Sequence, residues 1–176
     1  MRALANQNGT HLGYNEPATL FPPYPEPPMN DASTSECEFD SSKMKVRLEI
    51  TIKADPEAIS PVVEAVLTLA REMKCAVGKE FEIETAVRES LANAIRHGCG
   101  GDSSKRVQCC VACDQEHGML IVVRDPGPGF DPASIASPIL GENIYSTHGR
   151  GIYLINQLMD EVRFARGGTE IHMRKG

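Results

Sequence analysis

From Lys79 to His97 the chain holds neither proline nor glycine, and Gly98, Gly100 and Gly101 break it directly afterwards. Such a run is read as a helix with a glycine stop. Helical geometry turns about 100° per residue, so positions four apart stay near one face. Ile83, Val87, Leu91, Ala94 and Ile95 then form a broad apolar stripe, and Glu89, Asn93 and His97 form a polar stripe beside it. The apolar stripe commits the helix to a core. Whatever covers it must leave a carboxylate, an amide and an imidazole along its edge. An amide oxygen suits a hard cation such as Mg²⁺, which prefers oxygen ligands and retains waters. A carboxylate one turn away can orient or deprotonate a water or a hydroxyl. A solvated face held by i,i+4 pairs has the same appearance on this stretch alone.

The segments around this helix define the layer that covers it. Val46, Leu48, Ile50 and Ile52 alternate with Lys45, Arg47, Glu49, Thr51 and Lys53, the pattern of a strand with one buried face. Asp55 followed by Pro56 reads as a helix start, with Val62, Val63, Val66, Leu67, Leu69 and Ala70 carrying the helix to about Met73. Lys105–Cys113 and Met119–Arg124 read as a hairpin around the turn Asp114–Gly118. A further helix begins at Gly149 to Gly151, and two short strands near Val162–Ala165 and Thr169–Met173 close the chain around Gly167 and Gly168. Strand, two helices, hairpin, loop, helix and hairpin give an α+β fold. Its two layers are an open, mostly antiparallel sheet and helices on one face.

With 176 residues, 41% of them hydrophobic and 24% charged, the chain suits one globular domain with an aliphatic core, since tryptophan is absent. The formal net charge of −6 argues against nucleic acid or an anionic membrane as partner. No apolar run is long enough for a membrane span and the start lacks a secretory pattern, so a cytoplasmic protein is expected. The six cysteines, three of them at positions 109, 110 and 113, are accordingly expected to be reduced and buried. Residues 1–43 stand apart. Pro17, Pro22, Pro23, Pro25, Pro27 and Pro28 crowd a stretch without apolar periodicity, which reads as a disordered extension before a folded unit at 44–176.

Two glycine motifs follow the helix. Asp125, Pro126, Gly127, Pro128, Gly129 and Phe130 stand directly after an apolar strand. Glycines there let backbone lie against a flat ligand, and the Asp125 carboxylate can accept a hydrogen bond from an exocyclic amine. Gly149, Arg150 and Gly151 stand where a long, aperiodic loop enters a helix, a place where free N–H groups and the helix dipole favour an anion. No Walker lysine follows, and no strand directly precedes Gly149 as a dinucleotide fingerprint requires.

Taken in order, Glu89-x-x-x-Asn93-x-x-x-His97, Asp125-x-Gly127-x-Gly129-Phe130, a loose loop, Gly149-x-Gly151 and Gly168-Thr169 resemble the GHKL ATPases, which share the Bergerat ATP-binding fold. Within that superfamily the short format, the run Gly149 to Ile155 and the run Leu158 to Val162 are most similar to the anti-sigma factor serine kinases. The resemblance covers about Lys45 to the end. It implies ATP and Mg²⁺ as ligands, with Glu89 as general base and Asn93 holding the metal. Asp125 would meet the adenine amine, Gly127 and Gly129 would shape the pocket, and Thr169 would support the adenine end. Gly149, Arg150 and Gly151 would meet the phosphates behind an ATP lid. His97 fits the motif as a nucleotide-site or structural residue.

The implied function is a switch that sequesters a sigma factor and phosphorylates a serine of its anti-anti-sigma antagonist, in a format that implies a homodimer. Thr147 and His148 stand where some relatives carry a lid arginine, which leaves that role to Arg150 or to a partner. Two other readings stay open: a binding module that switches partners by nucleotide occupancy alone, and a kinase module of a non-sigma pathway.

Overall fold

The computed structural model describes residues 46–131 and 147–176. The expected proline-rich extension and most of the expected lid lie outside the described residues. Strand β1, Val46–Lys53, follows the alternation of its sequence. Asp55 caps the next segment by accepting from the Glu57 N–H at 2.9 Å, and Pro56 starts a 3-10 turn, Pro56–Ala58, that runs into helix α1, Ile59–Met73. Helix α1 ends at Met73, as expected, and Lys74 caps it in the left-handed conformation (φ 52°). Helix α2, Glu80–Asn93, buries Ile83, Ala86, Val87, Ser90 and Leu91, the i, i+3, i+4 spacing of a helix lying on a core. Strands β2, Arg106–Asp114, and β3, Gly118–Arg124, form the expected hairpin. Helix α3, Thr147–Leu158, then leads to β4, Glu161–Ala165, a 3-10 turn, Arg166–Gly168, and β5, Glu170–Lys175.

The five strands form one antiparallel sheet in the order β1-β2-β3-β5-β4. Cys109, Val111 and Cys113 of β2, Met119, Ile121 and Val123 of β3, and Ile171 and Met173 of β5 project to one face. There they meet Val62, Val66, Ile83, Val87, Leu91 and Ile155 from the helices in a single core. Each Val, Leu, Ile or Met among them stabilises the fold by about 1.5–3 kcal/mol when fully buried. The α+β, two-layer expectation therefore holds, and helices cover one face. Among the described residues no helix is long and apolar enough to cross a membrane.

Two local expectations are corrected. The helix was expected to run unbroken to His97 with Gly98 as its stop. Instead α2 gives way at Ala94 to a π turn, Ala94–Gly98, closed by the Cys99 N–H donating to the Ala94 carbonyl at 2.8 Å. Helices often widen this way beside functional residues. The widened turn breaks the i+4 register, so His97 does not continue the Glu89–Asn93 row; it lies exposed.

The cysteines are the second correction. Cys75 and Cys113 form a disulfide with Cα atoms 5.9 Å apart, and Cys110 is also disulfide-bonded, whereas Cys99 and Cys109 are free and buried. Burial pushes the Cys109 thiol up to about 12, which keeps it protonated and inert. The spacing of residues 110 and 113 alone could not show that Cys113 faces the core towards the α1–α2 connection while Cys110 faces the other side of the sheet. A cross-link closing a loop of this size contributes roughly 2–4 kcal/mol. The urea midpoint is expected to fall when dithiothreitol is added. Equal midpoints in both conditions would show that the bond contributes nothing.

Candidate functional site

The site is built along α2 and its π extension. Glu89 and Asn93 lie one turn apart on α2, both half-buried. The first turn of α3 packs against them. A methyl group placed on Gly151 would sit 2.7 Å from Glu89 Oε2 and 3.2 Å from Asn93 Nδ2. Gly151 is thus the residue that lets the α3 backbone reach the carboxylate and the amide. Gly149 and Arg150 stand in the same first turn, which begins at Thr147 and so ahead of the expected start at Gly149, and Arg150 is exposed. The carboxylate and amide of α2 and the first turn of α3, far apart in the chain, converge here.

The other end of the site lies further along the same helix, past the π turn. Gly98, the last residue of the π turn, abuts the side chain of Asp125. A Cβ at Gly98 would fall 2.6 Å from Asp125 Cβ and nearer still to its carboxyl group. Gly127 presses on the same spot from above, and a Cβ there would meet the Gly98 Cα at 2.6 Å. Gly98 was read from the sequence only as a helix stop. Its real place, as the floor under Asp125, was missed, and no local signal marks it because the contact exists only once β3 is laid beside α2.

Asp125 itself is half-buried and accepts from the Gly127 N–H at 2.8 Å. Burial raises its carboxyl above the usual range, although the Gly127 N–H and the charge of Lys105 pull the other way. Its backbone N–H donates to the Thr169 carbonyl at 3.0 Å, so the end of β3 is held beside the start of β5. Gly129 (φ +72°) takes a left-handed turn, and its missing Cβ makes room for Gly167 and for Thr169 Cγ2, 3.2 Å away. The Phe130 N–H then donates to the Gly167 carbonyl at 2.9 Å, and the Phe130 ring meets Phe164 edge-on at 5.3 Å. The structure therefore gathers Asp125, Gly127, Gly129 and Thr169 at one end and Glu89, Asn93 and Gly151 at the other, with α2 joining them. His97 lies exposed after the register change.

The donor set bears on a metal. Among the described residues no three His, Cys, Asp or Glu side chains cluster as a cage. Asn93 offers one amide oxygen beside a helix start that favours phosphates. That suits Mg²⁺, which takes most of its ligands from phosphates and water, and does not suit a metal held by protein alone.

Known proteins resemble this chain over most of its length. A family model described as the histidine kinase-like ATPase domain matches residues 52–175. An anti-sigma F factor of Clostridium novyi is 28% identical over 74% of this chain and 93% of its own length. The serine-protein kinase RsbW of Bacillus subtilis is 25% identical over 73% of this chain and 84% of its own. A crystal structure of RsbU and RsbW domains from Mycobacterium tuberculosis aligns with a TM-score of 0.47 and 21% identity over 73% of this chain, which spans 31% of that one. The matched region holds both ends of the site and all the elements that position it except the beginning of β1, and on that ground the chain belongs to the histidine kinase-like ATPase domain family.

Proposed function

We propose that the protein is an ATP- and Mg²⁺-dependent anti-sigma regulatory factor. It binds a sigma factor in the cytoplasm and phosphorylates a serine on the protein that antagonises that binding. Residues 44–176 form the whole kinase unit. The observation that carries the reading is the packing of Gly151 against Glu89 and Asn93, because it brings a carboxylate, an amide and the first turn of a helix around one small volume. The matches to an anti-sigma F factor and to RsbW serine kinases support the regulatory context.

In this reading Asp125 accepts the adenine amine, Gly98, Gly127 and Gly129 keep the floor and walls of the adenine pocket free of side chains, and Thr169 supports its far edge. Gly149, Arg150 and Gly151 meet the phosphates. Asn93 would hold Mg²⁺, which when bound neutralises charge on the phosphate oxygens. Glu89 accepts the proton of the attacking serine hydroxyl, which is placed for in-line transfer.

The test is single-turnover transfer from labelled ATP to candidate antagonist proteins, with ATP affinity measured in parallel. Label on an antagonist serine is expected. Tight ATP binding with no transfer to any candidate would favour a nucleotide-gated binding module, the reading that Thr147 and His148 in place of a lid arginine favours. Gly151→Ala is a sharper probe of the geometry. The nearest atom to the added methyl is the mobile end of the Glu89 side chain, so the fold should survive while the carboxylate is displaced. Transfer is expected to fall at least about tenfold, because a misplaced base forfeits part of its contribution. An unchanged rate would show that Gly151 does not set the position of Glu89.

A further inference from the structure

On the sheet face away from the helices, Glu170 is the hub of an ion-pair network. Its side chain is 2% exposed, yet it carries a carboxylate. Arg124 Nε donates to one oxygen in a close contact, Arg166 Nε lies 3.3 Å from the same oxygen, and His172 Nε2 lies 2.6 Å from the other. Burial drives the Glu170 carboxyl up, but the contacts from His172 and Arg124 outweigh it and hold the group below its ordinary range, so it stays ionised. Arg124 in turn has Gln108 Oε1 at 3.5 Å from Nη1 and a buried Nη2 with no partner. Its charge is therefore balanced chiefly by Glu170.

The place of this hub in the chain gives it a consequence. Arg124 and Glu170 are opposite each other in the β3–β5 ladder, and the next residues on the two sides are Asp125 and Thr169, joined by the Asp125 N–H to Thr169 carbonyl bond at 3.0 Å. Arg166 opens the turn that presents Gly167 and Gly168 to Phe130, and it does so with a left-handed backbone (φ 52°) that a residue with a Cβ adopts only under constraint. Its ion pair to Glu170 supplies such a constraint. One carboxylate thus ties down both segments that bound the Asp125 end of the site, from the opposite side of the sheet.

We propose that Glu170, with Arg124 and Arg166, is a positioning group for nucleotide selection: it holds Asp125 and Thr169 in register so that the pocket distinguishes adenine from guanine. The inference rests on the reading of Asp125 as the adenine acceptor. Glu170 touches no nucleotide and acts through the backbone of its neighbours. A purely structural ion pair would contribute to stability and leave base preference untouched.

The experiment compares ATP and GTP affinities, by calorimetry below the melting temperature of each variant, for wild type, Glu170→Gln, Arg124→Lys, the charge swap Arg124→Glu with Glu170→Arg, and Asp125→Ala. Glu170→Gln keeps the shape and removes the charge. It is expected to weaken ATP binding on the order of tenfold, since an uncompensated buried guanidinium moves the strand end it sits on, and to reduce the ATP-over-GTP ratio. The charge swap should recover at least half of that ratio. Arg124→Lys, which keeps the charge and loses the fork, should lie between wild type and Glu170→Gln, and it carries the test if Glu170→Gln does not fold. A lower melting temperature with an unchanged ATP-over-GTP ratio in both single variants would overturn the inference. If Asp125→Ala alters the ratio while the Glu170 and Arg124 variants do not, only the inference fails. If Asp125→Ala leaves the ratio unchanged, the adenine reading fails and takes the inference with it.

Discussion

Replacing Glu89 by Gln is expected to reduce phosphoryl transfer to the antagonist serine by at least about 100-fold, the range of a general base, while ATP binding changes by no more than about twofold. Gln keeps the volume and the hydrogen-bonding reach of the side chain, so the contact with the first turn of α3 at Gly151 is preserved. What is lost, in the proposed role, is the acceptor for the serine proton at the moment of attack. If Glu89 were only a helix-supporting charge, its neutralisation would cost a few tenths of a kcal/mol of stability and nothing in rate. Single-turnover kinetics with saturating ATP separates the two. Equal rates would remove Glu89 from the chemistry while leaving the nucleotide site in place.

Asp125→Ala should act on binding. In the proposed role the carboxylate accepts from the adenine amine, so its loss would leave that donor unpaired in the pocket, at a cost of roughly 1–3 kcal/mol. ATP affinity is then expected to fall about 5- to 150-fold, at tenfold per 1.4 kcal/mol, and selection against GTP should weaken with it. The protonation state adds a second signature. Protonation turns one carboxyl oxygen into a donor and makes the other a weaker acceptor. Burial raises the Asp125 carboxyl above its usual range, so the protonated form persists to higher pH than for a surface aspartate. ATP affinity of the wild type should decline on acidification from a pH above the ordinary carboxylate value of about 3.9, and recover as the pH rises. Asp125→Ala should lack this step. Calorimetric titrations across mildly acidic pH check it, and identical pH profiles for the two proteins would exclude Asp125 as the titrating acceptor.

Most of the fold was legible because its signals are local. Alternation in β1 and the 3.6-residue apolar period of α1 and α2 are written within single segments, and Asp55 with Pro56 announces a helix start before the helix exists. The candidate site residues could be named from the sequence for a related reason. Carboxylate, amide and glycines recur at spacings that one helix and two turns impose, and the family match falls across all of them. The misreadings are of contacts made between segments. A helix that continues to His97 and one that widens at Ala94 share the same residues; the widening is settled by the Cys99 to Ala94 hydrogen bond and by the meeting of Gly98 with Asp125. The disulfide shows the same limit. Cys75 and Cys113 are unremarkable in spacing and become a pair only when β2 is set beneath the α1–α2 connection.

By itself, then, the amino-acid order determined the elements, the apolar face of the sheet that meets the helices and the chemical types available to the site, since each depends on periodicity and on side-chain chemistry. The tertiary structure alone decided which atoms meet. It brought the backbone at Gly151 onto Glu89 and Asn93, set Gly98 under Asp125, and put the Glu170 network behind the strands that carry Asp125 and Thr169. The physical reason is that these contacts join residues remote in sequence across close-packed surfaces. Their distances follow from how whole helices and strands settle on one core, which no local pattern records.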